Sequence, residues 1–113
     1  MDLREIQRMK HEFEKERGWD KFSPALVFTH LIEELGEIAD YILVEEKYKI
    51  PGLGHDAPDI KNLSREFAQA FNLFVQLANH FNIDLEDAIL NEMEIMAKRF
   101  PADKWRKVMD NYS

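Results

Sequence analysis

From residue 67 to residue 83 the chain runs seventeen residues without an Asp, Glu, Lys or Arg. The polar positions in that stretch are amides: Gln69, Asn72, Gln76 and Asn79, spaced three, four and three apart. Such spacing predicts a helix carrying the amides on one stripe, with Phe67, Phe71, Phe74, Ala78 and Phe81 opposite. Neither stripe is built for open solvent, so the helix is expected to be covered on its amide side by another helix or another subunit. It is not a membrane span, because four amides would be costly in lipid.

The rest of the chain also reads as helices. Asp2 with Glu5 three residues on is a capping-box pattern, and Gly18 is a stop signal, which predicts a first helix over residues 3–17. Its apolar positions are Leu3, Ile6, Met9 and Phe13. Ser23-Pro24 predicts a second helix over 24–49, ended by Pro51. The segment 51–58 holds two Gly and two Pro and reads as a loop. A third helix is expected over 60–82, a fourth over 85–100 behind Asp84, and a short fifth over 102–112. Strand alternation, internal repeats and low-complexity runs are absent. The expected fold is an all-α bundle of four main helices in one domain spanning 1–113.

Fifteen basic against 22 acidic residues leave a formal charge of −7. That balance argues against tracking a nucleic-acid polymer, which needs a basic stripe. Without cysteine there is no disulfide, thiol nucleophile or Cys-ligated zinc. The first eighteen residues lack the apolar core of a signal peptide, so the expected compartment is the cytoplasm, with no membrane partner.

Part of the acid is patterned. Glu33-Glu34-Leu35-Gly36-Glu37, followed by Asp40, puts four carboxylates within two helical turns. Glu34 and Glu37 are three apart and share a face, where like charges repel unless something neutralises them. Two readings follow: a solvated acidic coat, or an oxygen-only site for Mg²⁺ or Mn²⁺. Gly36 favours the second, because a helix-interior glycine costs roughly 1 kcal/mol against alanine and marks close packing or ligand approach. The stripe bearing Glu34 and Glu37 also carries His30, Tyr41, Val44 and Tyr48, groups able to wall a pocket. Lys10, Lys15 and Arg17 read as ordinary solvated charges.

The pieces LIEELGEIADYI (31–42), REFAQAFNLFVQLANHFNIDLEDAIL (65–90) and KRFP (98–101), with Trp19-Asp20 ahead of them, resemble the all-α nucleoside triphosphate pyrophosphohydrolase superfamily. That superfamily includes MazG, the dimeric dUTPases and the all-α dCTP pyrophosphatases. The resemblance covers about four-fifths of the chain. It implies a MazG-like bundle, assembled as a homodimer or homotetramer, that hydrolyses a nucleoside triphosphate to monophosphate and pyrophosphate with Mg²⁺, clearing unwanted nucleotides from the pool. Matched position by position, Glu34, Glu37 and Glu66 become metal ligands, with Gln69 at the place of a fourth. Glu33 matches a water-orienting base, Arg99 and Trp19 become substrate-binding candidates, and His30, one turn before Glu34, joins them by its position. Three positions depart from the family pattern: Gln69 stands where relatives have Asp, and Glu92 and Met96 where many have Lys and Asn. The departures keep open a second reading, a catalytically degenerate relative serving as a nucleotide-binding or protein-interaction module.

Overall fold

A computed structural model describes residues 1–59 and 62–112. Among these the chain forms five α-helices: α1 (Leu3–Glu16), α2 (Pro24–Glu45), α3 (Leu63–His80), α4 (Leu85–Arg99) and α5 (Ala102–Met109). A single 3-10 turn over Trp19–Lys21 leads into α2. The all-α architecture expected from the sequence is the one that forms, and its starts are set by side-chain caps. Asp2, Ser23 and Asp84 accept hydrogen bonds from the backbone N–H groups of Glu5, Leu26 and Asp87, each satisfying a donor that the first turn would leave orphaned. Gly18, at φ 71°, takes the left-handed conformation that a Cβ disfavours and turns the chain out of α1.

Three boundaries differ from the sequence expectation by three residues or more, while α1, α3 and α4 end one or two residues early. Helix α2 stops at Glu45 instead of reaching residue 49. Lys47 adopts φ 62°, and the N–H groups of Tyr48 and Lys49 fold back onto the Leu43 carbonyl at 2.9 and 3.0 Å. A left-handed non-glycine residue closes the helix four residues before Pro51, and composition does not announce it. Helix α3 starts at Leu63, because the Asn62 side chain accepts from the Arg65 N–H at 3.3 Å and caps it there. The expected start at residue 60 lies outside the described residues. Helix α5 ends at Met109, three residues short of 112.

The core lies between α2 and α3, where Val27, Leu31 and Ile38 meet Ala70 and Leu73, with Leu77 against them. The two helices run in opposite senses, since Glu66 approaches Glu34 and Glu37 while Gln76 shares a cavity wall with Val27. Helix α1 crosses the other side of α3, and there the packing reverses the sequence expectation. The buried residues of α1 are Gln7, Lys10 and Glu14, whereas Met9 and Phe13 remain 54% and 42% exposed. The reason is the amide stripe of α3. Gln7 Nε2 donates to Asn79 Oδ1 at 3.1 Å and to the Ile83 carbonyl at 2.8 Å. Asn79 Nδ2 donates back to the Gln7 carbonyl at 3.0 Å, and the Leu85 N–H donates to Gln7 Oε1 at 2.8 Å. Gln7 and Asn79 thus pack against each other with their hydrogen bonds paired, which avoids the cost of orphaned amides, while Asn72 of the same stripe stays exposed.

Arg4 ties α1 to the start of α4, reaching Asp84 at 2.7 Å, Asp87 at 2.8 Å and Glu86 at 3.1 Å. Beyond that clamp α4 and α5 bury no residue. The Cα radius of gyration is 18.5 Å, where a compact chain of this length has about 13 Å. The phenylalanines of α3, Phe67, Phe71 and Phe74, point outward, as does Phe81 just past its end, and Phe28, Ile32 and Ile42 of α2 are exposed too.

Candidate metal and nucleotide site

Glu34 and Glu37 reach a common point because three residues along α2 is nearly one turn. The third carboxylate comes from a different helix: Glu66 lies in the first turn of α3. One oxygen from each of the three lies within 4.8 Å of the others. Glu34 Oε2 and Glu66 Oε2 are buried without a hydrogen-bond partner. The carboxyl of Glu37 is pushed above the ordinary glutamate range, chiefly by its hydrogen bond with Glu66, then by desolvation and by the charge of Glu66. Two orphaned oxygens in an all-acidic cluster are an arrangement that a cation would relieve. With oxygen donors alone, the residues fit a hard divalent ion of the Mg²⁺ or Mn²⁺ kind.

Glu34 also lines a cavity of about 580 Å³ between α2, α3, α1 and the 3-10 turn. Glu34, His30 and Gln69 line one part of it, and Trp19, Phe22 and Lys10 another. His30 Nε2 stands 3.3 Å from Glu34 Oε1, one turn along α2. Gln69, one turn after Glu66, brings a carbonyl oxygen to the wall without charge. Glu33 shares a smaller hollow on the other flank of α2 with Glu37, Asp40 and Asp59, and its carboxylate also stands within 4.8 Å of His30 and Glu34. Asp40 is engaged by Lys49 Nζ at 3.1 Å. A Cβ on Gly36 would meet nothing within 4 Å, so within this chain the glycine is not explained by close packing.

The structure therefore gathers Trp19, His30, Glu34 and Gln69 on one cavity, with Glu37 and Glu66 beside Glu34. Arg99 is elsewhere: it ends α4, which packs on α1, and its guanidinium lies 5.1 Å from the ring of Phe100. Glu92 and Met96 are also on α4, exposed.

One lining residue escaped the sequence reading. Lys10 is not a solvated charge. It is 7% exposed, and its Nζ lies 3.5 Å from Oε1 of Glu14, which is 2% exposed. Burial holds the Glu14 carboxyl above its ordinary value, although the Lys10 charge pulls the other way. The available signal was the stripe Leu3, Gln7, Lys10, Glu14, at helical spacing and with opposite charges four apart. It was hidden because the apolar residues of α1 lie on a different stripe.

No family model matches the chain. Among curated proteins it is similar to the uncharacterized protein YvdC of Bacillus subtilis (strain 168), with 29% identity covering 88% of this chain and 97% of YvdC. It is similar to human dCTP pyrophosphatase 1, with 29% identity over 98% of this chain, and to the bovine protein of the same name, with 30% identity over 88%. The chain spans 66% of the length of the human protein and 59% of the bovine one. These likenesses support a relationship to dCTP pyrophosphatases and MazG-like all-α proteins, at distant identity.

Proposed function

We propose that the chain is a nucleoside triphosphate pyrophosphohydrolase of the dCTP pyrophosphatase kind, dependent on Mg²⁺ or Mn²⁺ and acting in nucleotide-pool housecleaning. The observation that carries the reading is the trio Glu34, Glu37 and Glu66, with two orphaned oxygens, one member of which, Glu34, lines a cavity of about 580 Å³. The three carboxylates hold the cation, with the Gln69 carbonyl as a weaker fourth donor. When bound, the ion supplies positive charge to the triphosphate oxygens. Water attacks the α-phosphorus, the α–β phosphoanhydride bond breaks, and pyrophosphate leaves. The attacking water loses its proton to a carboxylate, which we assign to Glu33. Trp19, on the same cavity, stacks on the base, and His30, beside Glu34, orients that carboxylate or meets phosphate. The whole chain serves as one domain.

A homodimer or homotetramer belongs to this proposal. The exposed phenylalanines of α3 and the unburied faces of α4 and α5 are what a second copy would cover, and Arg99 would meet phosphate only across such an interface. The second reading, a binding module without turnover, draws on the neutral Gln69 at the fourth ligand position.

Pyrophosphate release from a panel of canonical and modified triphosphates with Mg²⁺ or Mn²⁺ tests the proposal. Wild-type protein releases it, and Glu66→Gln lowers kcat/KM by at least about 100-fold, the scale of losing a group that acts in the transition state. No release from any triphosphate, with wild type and Glu66→Gln alike, would leave the binding module standing.

A further inference from the structure

Trp19 sits on a three-residue 3-10 turn that follows Gly18 and has no side-chain cap. Its backbone is closed by the Lys21 N–H on the Gly18 carbonyl at 3.3 Å and the Phe22 N–H on the Trp19 carbonyl at 3.1 Å. Neither bond fixes the indole ring. A ring that stacks on a base binds best when it is already oriented, because ordering it during binding costs affinity.

The orientation is set from α1. The ring of Phe13 meets the indole edge to face, with centroids 5.9 Å apart and planes at 70°. Arg17 lies on Phe13 in turn, its guanidinium carbon 3.5 Å from the ring centroid. That guanidinium is held one turn back, where Nη1 donates to the Phe13 carbonyl at 2.9 Å. Trp19 is the member of this stack that lines the cavity. Phe13 is half-exposed and outside the core, so general apolar burial does not place it. Both of its contacts are directional, and directional contacts fix orientation where burial does not.

We propose that Phe13, held by Arg17, is a positioning residue that orients the Trp19 indole as the stacking wall of the cavity before a nucleotide enters. The inference rests on the proposed nucleotide reading and is separable from it by experiment. Phe13 and Arg17 act through the indole, so their effect falls on KM and leaves the bond-breaking step at the carboxylates unchanged.

The chain has two tryptophans, and Trp105→Phe on α5 leaves Trp19 as the sole one. In that background the test compares Phe13→Leu, which keeps apolar bulk without the ring, with Phe13→Tyr, which restores the ring, and Arg17→Met, which removes the guanidinium. Acrylamide quenching of the nucleotide-free protein reads the indole. Pyrophosphate release from dATP, dCTP, dGTP and dTTP with Mg²⁺ gives kcat and KM for the fastest of them, and melting curves verify the fold. Phe13→Leu is expected to raise the quenching constant about twofold and KM about three- to tenfold, the scale of one aromatic pair, with kcat unchanged. Phe13→Tyr returns both to wild type, and Arg17→Met gives a smaller shift in the same direction. Unchanged acrylamide quenching or unchanged KM in Phe13→Leu, or a loss confined to kcat, overturns the positioning role while the hydrolase reading stands. Quenching of Trp19 by a triphosphate without pyrophosphate release overturns the hydrolase reading and leaves the positioning role standing. If wild type shows neither with any of the four, both fall.

Discussion

Two clusters of charge flank one cavity, each with one lining residue, Lys10 and Glu34, and they are balanced in different ways. In the Lys10–Glu14 cluster, opposite charges four residues apart on α1 neutralise each other inside the chain. In the other, Glu34, Glu37 and Glu66 carry the same sign, and two of their buried oxygens find no hydrogen-bond partner. The first cluster carries its own cation, Lys10, although Glu14 Oε1 is also buried without a hydrogen-bond partner, and the second carries none. A folded chain can hold either, but only the second leaves electrostatic work for a bound cation. The contrast also explains why the acidic cluster is read as the place of chemistry.

The comparison breaks most sharply by unpairing the first cluster. Lys10→Met alone leaves Glu14 buried and uncompensated, and should lower unfolding stability by about 3–5 kcal/mol, whereas the double change to Met and Leu should cost little or nothing. Denaturant melts of both variants measure this. A single variant as stable as the double would show that Glu14 is not held as an anion.

A smaller effect is expected when the all-acidic cluster is filled. Mg²⁺ or Mn²⁺ at about 100 times its dissociation constant should stabilise the protein by about 2.7 kcal/mol, and the shift should vanish in Glu34→Gln/Glu66→Gln. Protons compete for the same oxygens. Because the Glu37 carboxyl lies above the ordinary range, this group takes up its proton at a higher pH than an ordinary glutamate as the solution is acidified. The cation-induced shift should therefore fade from that higher pH downward. By the same sign, proton uptake at Glu37 favours the folded metal-free protein as pH falls through the raised value, and that contribution is absent above it. A cation shift that is constant down through the ordinary glutamate range would contradict the shared site.

The smallest effect concerns Gly36, between the carboxylates of α2. A Cβ there meets nothing within 4 Å, so Gly36→Ala should stabilise the metal-free protein by about 0.5–1 kcal/mol through helix propensity alone. If the open space serves substrate or a second copy, the same change lowers turnover or weakens assembly, which activity and sedimentation would read out. Loss of stability in the metal-free monomer would mean that the glycine is packed after all.

Local chemistry was legible in the residues. The caps at Asp2, Ser23 and Asp84 and the stop at Gly18 need only a few neighbouring residues, so those helix ends could be placed in advance. The pairing of Glu34 with Glu37 is likewise local, since helical geometry alone sets it. The end of α2 was not legible, because Lys47 takes a left-handed conformation that its side chain does not advertise. The buried face of α1 was missed for another reason. Periodicity marks apolar stripes, while this interface is chosen by hydrogen bonds from Gln7 to Asn79 on a helix more than seventy residues away.

By itself, then, the sequence determined that the chain is helical, roughly where each helix starts, and that two glutamates share a face. Those properties follow from the backbone's own repeat and from caps within one turn. The family resemblance pointed to Glu66, but only the tertiary structure brings it within reach of Glu34 and Glu37 and puts a lysine and a glutamate inside. It also left the phenylalanines of α3 facing out. Each of these depends on which helix lies against which, and that choice is made by amide pairing and core packing between segments far apart in the chain.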